Sequence, residues 1–204
     1  MSLIYLYLSD RSRCERQGDK ERNLITAIEF IKLFNIRKMT AQNITTSNNK
    51  SLIAAGILLG LGQAGFFDGI VFHQLLQWHH MFTNVESGNT VAGLELNTFG
   101  DGIFHLVDWL FTLAGIIVLW NAVKKDSTDL YNSVLIGAFC IGAGLFNVTE
   151  GILSHHVFQI HHVKPGSHQL TWDLAFIGAG VLSVIIGWIV LNRAKIDGSV
   201  KTNN

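Results

Sequence analysis

The chain has 204 residues, 49% of them hydrophobic, and 15 Lys and Arg balance 15 Asp and Glu to a formal net charge of zero. That is too apolar and too weakly charged for a disordered or nucleic-acid-binding chain, and no basic patch with interleaved aromatics occurs. Cys14 and Cys140 lie far apart without a CxxC pair, which argues against a thiolate zinc site or a redox pair. Cys140 sits in an apolar run and reads as a small buried hydrophobe.

Residues 1–50 form an N-terminal segment. Within it, NLITAIEFIKLFNIRK (23–38) has apolar residues at partly helical spacing between basic flanks. It is too short and too charged to span a membrane, and no small-residue cleavage site follows it. Two readings stand: an amphipathic surface helix, or a translation start at Met39, which opens the polar stretch TAQNITTSNNK and leaves residues 1–38 outside the protein.

Four apolar runs follow, at 51–78, 102–123, 133–160 and 169–191, each long enough for the roughly 20 residues a helical span needs. The single proline, Pro165, falls between the last two. Residues 53–61 and 181–191 lack the polar face that a soluble bundle helix would show. The expected fold is an all-α integral membrane bundle of four helices over 51–192, with a short tail at 193–204. Lys and Arg set the orientation. Arg37, Lys38 and Lys50 precede the first span, Lys124 and Lys125 follow the second, and Arg193, Lys195 and Lys201 follow the fourth. The loop at 81–100 has neither. Both termini are therefore expected in the cytoplasm, with the loops after spans 1 and 3 outside.

Residues 51–81 lie over 133–163 without a gap. Gly60/Gly142, Gly62/Gly144, His73/His155, Gln77/Gln159, His79/His161 and His80/His162 are identical, and Asp68 meets Glu150. Spans 2 and 4 align less well. A shift of 65 sets Asp108 on Asp173, Phe111 on Phe176 and Gly115 on Gly180. The chain thus reads as two parallel helical-hairpin repeats about an axis along the membrane normal. The matched glycines suit close helix–helix contact.

Ionisable residues in a membrane segment mark a functional site by default. All nine histidines lie toward the outer half of the expected topology. His79, His80, His161 and His162 stand at span ends, His73 about 9 Å further in and Asp68 about 16 Å in, at helical rise. On an ideal α-helix Asp68 points about 140° away from His73, so Asp68 and Glu150 are expected to meet a neighbouring helix.

The inner histidines His73, His105 and His155, with Asp108 three residues after His105, make a candidate first shell for zinc, copper or iron. The outer pairs His79, His80, His161 and His162 make an access route or additional ligands. Each has a plainer reading: interfacial residues at ease near headgroups for the outer pairs, and hydrogen-bonded structural groups for the inner ones. Haem b between His73 and His155 is an alternative, and a proton or ion relay, as in a transporter, is another. Di-iron membrane desaturases are disfavoured by the spacing of His73 and His79. No substrate pocket and no catalytic residue can be read.

FDGIVFHQLLQWHHM (67–81), DGIFHLVDW (101–109), EGILSHH and QIHHV together resemble a bacterial family of four-span, histidine-rich membrane proteins of unknown function. The resemblance covers about residues 45–195 and implies a bilayer as partner, without an activity. A homo-oligomer and a small-molecule or metal ligand are compatible with it. Residues 1–38 fall outside the shared pattern, which favours Met39 as the start.

Overall fold

The computed structural model describes residues 50–125 and 132–201, together with Glu29, Lys32 and Asn35. The chain divides into units at 1–47 and 48–204. In the first, Glu29, Lys32 and Asn35 are helical and exposed, and Lys32 Nζ lies 3.5 Å from Glu29 Oε1. The remainder of the expected surface helix, and Met39, lie outside the described residues.

The second unit is all-helical among the described residues. Helix α1 covers Lys50–Leu75 and α2 Val91–Lys125; α3 covers Asn132–Val157 and α4 Gln169–Lys201. All four are long and apolar enough to cross a membrane. Helix α2 starts well before the expected 102, because VAGLELNTFG adds a helical overhang to the apolar run. Helices α1 and α3 stop three residues before the expected ends, for a reason that bears on the site.

The packing is inverted relative to a water-soluble bundle. The largest fully buried side chains are His73, His79, His155, His161, Asn97, Asp108 and Asp173. Leu106, Trp109, Ile116, Ile117 and Trp120 of α2, and Leu182, Ile185, Ile186, Trp188 and Ile189 of α4, are exposed. An apolar rind around a polar interior is stable only where lipid covers the rind.

Helices α1 and α3 cross at the centre. A Cβ on Gly60 would run into the backbone of Phe139 and Ala143, and one on Gly142 into the backbone of Ile57. Only glycine lets the two backbones come this close. Helix α2 packs on α1, with Gly115 against Leu59, and α4 packs on α3, with Gly187 against Gly137 and Ile141. The loops leaving α1 and α3 bond to each other: Asn84 N–H donates to Ile160 O at 2.9 Å, and Asn84 Nδ2 to Gln159 O at 3.1 Å. Both loops therefore lie at one end of the bundle.

Candidate metal centre

The last seven residues of α1 and of α3, Gly69–Leu75 and Gly151–Val157, are wound as π-helix. In an α-helix a residue five positions on has rotated past its starting face. In a π-turn the i→i+5 bond brings it back. Asp68 and His73, five apart, thereby meet: Oδ2 and Nε2 are 3.3 Å apart. Glu150 Oε2 and His155 Nε2 do the same at 3.2 Å. The expectation that Asp68 and Glu150 turn away to neighbouring helices is corrected by this winding.

Each π-turn ends in the same way. Leu76 N–H donates to Val71 O and Phe158 N–H to Leu153 O, both at 2.8 Å. Gln77 and Gln159 then adopt φ of 49°, a left-handed conformation usually left to glycine at a helix end. The chain doubles back, so His79 and His161 return beneath the helix ends instead of continuing outward. Asn97 anchors the first loop to α2. Its Oδ1 accepts from Phe82 N–H at 2.9 Å, and its Nδ2 donates to Glu86 O at 3.0 Å and Gly93 O at 2.9 Å.

Four imidazoles meet between the helix ends. Ring centroids are 4.4 Å apart for His73 and His79, 4.6 Å for the stacked His79 and His161, and 5.0 Å for His161 and His155. All four side chains are buried. Each has its Nδ1 facing an acceptor on the outside of the cluster. His73 Nδ1 faces Asp101 Oδ1 at 2.8 Å, and His155 Nδ1 faces Asp173 Oδ1 at 3.3 Å. His79 Nδ1 donates to Val163 O at 2.8 Å and His161 Nδ1 to Met81 O at 3.1 Å, each loop clasping the other. A carbonyl can only accept, so the His79 proton sits on Nδ1 and its Nε2 is a bare lone pair. Burial, reinforced by His161 and His73, holds His79 neutral far below the ordinary imidazole range.

The Nε2 atoms of His73, His155 and His161 turn inward, toward Asp68 and Glu150. His161 Nε2 lies 2.9 Å from Glu150 Oε1. Asp68 Oδ2, His73 Nε2, His79 Nε2, Glu150 Oε2 and both ring nitrogens of His155 are buried without a hydrogen-bond partner. Buried polar atoms of this kind are uncommon in folded proteins and call for a specific cause. Ligand atoms of His73, His79 and His161 lie within 4.8 Å of one another, as do those of Glu150, His155 and His161.

Around this core Asp101 and Asp173 serve as twin hubs. Asp101 takes His80 Nδ1 on Oδ2 at 2.7 Å and Met81 N–H on Oδ1 at 2.9 Å. Asp173 takes His162 Nδ1 at 2.7 Å and Val163 N–H at 3.0 Å. Phe104 covers His73 and Phe176 covers His155, at centroid distances of 5.4 and 5.7 Å. Asp101/Asp173 and Phe104/Phe176 thus hold matching places, a shift of 72, not the 65 that set Asp108 on Asp173.

Of the residues singled out in the sequence, His73, His79, His155 and His161 come together. His80 and His162 stand on the rim, bonded to the two hub aspartates. His105 and Asp108 stay outside the cluster. His105 stacks on Phe66 at 5.9 Å beside Gly69, and its Nδ1 is 3.9 Å from Asp108 Oδ2. Asp68, Glu150 and Asp101 were missed as members of one site. For Asp68 and Glu150 the signal was their match to each other and the five-residue spacing to the histidine, uninterpretable without the π-turn.

A four-span helical bundle with apolar flanks and a buried histidine–carboxylate core defines a polytopic membrane protein. The chain belongs to a family of predicted membrane proteins, DUF2243, a domain of unknown function, which matches residues 55–194. No curated protein and no solved structure matches the chain.

Proposed function

We propose that this protein is a plasma-membrane metal-binding protein, built as two parallel hairpins, that holds a transition metal on His73, His79, His155 and His161 with Glu150 and Asp68. The observation that carries the reading is the orientation of the imidazoles. All four direct Nδ1 at a carboxylate or carbonyl, and His73, His155 and His161 turn Nε2 toward the carboxylates of Asp68 and Glu150. Histidines that ligate metals are fixed in this way, the second ring nitrogen bonded to a carboxylate or backbone oxygen. Imidazole and carboxylate donors without thiolate suit zinc, iron or copper(II). The Lys and Arg distribution supports both termini in the cytoplasm and the centre on the outer side. His80 and His162, part-exposed on the rim, give the metal its access.

Haem is less well supported, since His79 and His161 stand in the row of rings between His73 and His155. A proton-relay reading draws on the chains His80–Asp101–His73 and His162–Asp173–His155. It leaves the partnerless Nε2 of His79 unexplained.

The test is metal analysis of protein purified without a His tag, beside a His73→Ala, His155→Ala double variant. The expected result is stoichiometric metal in the parent and its loss in the variant. A parent that arrives metal-free and takes up none of zinc, copper or iron refutes the reading. A red protein with a strong Soret band gives the site to haem.

A further inference from the structure

Resting on that reading, we infer that the centre holds two divalent ions side by side, one in each half, and that the two positions are unequal. Three observations lead there.

The first is reach. A metal–nitrogen bond is about 2.0–2.1 Å, so two ligand atoms on one ion are at most about 4.2 Å apart. The two ligand sets, His73/His79/His161 and Glu150/His155/His161, share only His161 and do not merge into one. One ion cannot serve both His73 and His155 without repacking the rings between them.

The second is the distribution of partnerless atoms. One half leaves Asp68 Oδ2, His73 Nε2 and His79 Nε2 without a hydrogen-bond partner; the other leaves Glu150 Oε2 and both ring nitrogens of His155. A single ion in either half would satisfy that half and strand the other, at the cost of desolvated polar atoms with nothing to bind. Charge runs the same way. Each half buries two carboxylates, Asp68 with Asp101 and Glu150 with Asp173. One divalent ion per half neutralises each pair, whereas one ion in total leaves two negative charges in a low-dielectric interior.

The third is a chemical difference between the two ligand sets. Glu150 is one methylene longer than Asp68. It reaches both His155 Nε2 at 3.2 Å and His161 Nε2 at 2.9 Å. Asp68 reaches only His73, at 3.3 Å. The Glu150/His155/His161 position therefore has three protein ligands already converged, as a tightly held ion requires. The His73/His79 position has two imidazoles with a carboxylate set back, and keeps an open coordination place. An open place is where an exchangeable small ligand binds a metal.

The experiment uses the full chain in detergent, stripped with chelator and titrated with Zn(II). The parent should take up two equivalents in two phases that differ at least about 10-fold in affinity, the range expected when one supporting group is lost. His155→Ala should abolish the tight phase and keep the weak one; His73→Ala should do the reverse. Asp68→Glu, which copies the reach of Glu150, should tighten the weak phase and leave the count at two. Loading with Cu(II) gives a readout independent of the alanine variants. Adjacent ions couple, so the integrated EPR signal at two equivalents should fall well short of two spins per chain. A parent that binds one equivalent, lost in either alanine variant, overturns the paired centre and leaves the metal reading standing. So does a full two-spin signal. A parent that binds no zinc overturns both.

Discussion

Removing the Asp101 carboxylate should loosen the whole outer end of the first hairpin, and the cost can be worked from its contacts. Asp101 accepts from His73 Nδ1 at 2.8 Å, His80 Nδ1 at 2.7 Å, Met81 N–H at 2.9 Å and Gln74 Nε2 at 3.3 Å. In Asp101→Ala all four donors lose their acceptor. The His80 side chain is 27% exposed and Gln74 is exposed, so both turn to interfacial water at little cost. His73 Nδ1 is buried and the Met81 amide is part-buried; a stranded buried donor costs about 1–3 kcal/mol. With the loss of two charge-assisted bonds, the expected destabilisation is about 3–5 kcal/mol. Asp101→Asn keeps an oxygen for Met81 N–H and His73, and should cost about 1–3 kcal/mol. The assay is SDS-driven unfolding of the metal-stripped protein in mixed micelles, read by tryptophan fluorescence. Asp173→Ala is the internal comparison. Its His155 contact is longer, at 3.3 Å, and no glutamine joins it, so its loss should be the smaller of the two. If Asp101→Ala unfolds within about 0.5 kcal/mol of the parent, Asp101 is not the tie between α2 and the returning loop, and the energetic argument fails.

Gly60→Val should push α1 from α3 and cost at least about 1–3 kcal/mol in the same assay, while Gly102→Ala, which meets nothing within 4 Å, should be neutral. Gln77→Gly should hold or raise stability by about 0.5 kcal/mol by relieving the positive φ, and Gln77→Val should lower it. Asn97→Ala removes three hydrogen bonds that fix the first loop, and should speed proteolysis between 82 and 93; unchanged cleavage would count against its anchoring role. In a chain with Cys14 and Cys140 replaced, a cysteine at Asn89 should react with an impermeant thiol reagent added from outside, and one at Ser127 should not. The opposite pattern would turn the centre toward the cytoplasm.

The four spans were legible because lipid demands long apolar runs, and composition alone reports them. So was the pairing of His73, Gln77, His79 and His80 with His155, Gln159, His161 and His162, since rare polar identities in register are hard to produce by chance. The site itself was only half legible, and both failures have a geometric cause. A wheel of 3.6 residues per turn sends Asp68 away from His73. The π-turn that reunites them has no composition signal, because GIVFHQL and GILSHHV would pass as ordinary helix. The shift of 65 between spans 2 and 4 failed for the opposite reason. It differs from 72 by seven residues, which is two helical turns. A slip of that size keeps every face in place, so small and aromatic residues still match, and only the contacts of Asp101, Phe104 and Gly115 reveal the slip.

The shift of 72 also exposes where the two hairpins part company. At the loop end they share a hub aspartate, a covering phenylalanine, a π-turn and a left-handed glutamine. Deeper in the bundle they do not. Gln63, His105, Asp108 and Thr112 stand on the first hairpin where Leu145, Ile177, Gly180 and Val184 stand on the second. Gln63 donates to Thr112 at 3.1 Å, and His105 Nδ1 and Asp108 Oδ2 are buried without hydrogen-bond partners. Agreement of the polar residues only at the end where four imidazoles meet fits a centre with one ion in each hairpin, because each half must supply its own ligands there. The polar stripe beneath it belongs to one hairpin alone, where Gln63 ties α1 to α2, and it lies outside both ligand sets. His105→Leu and Asp108→Leu should therefore leave the Zn(II) count at two. Loss of an equivalent in either variant would move the centre down into the stripe and return His105 and Asp108 to its first shell.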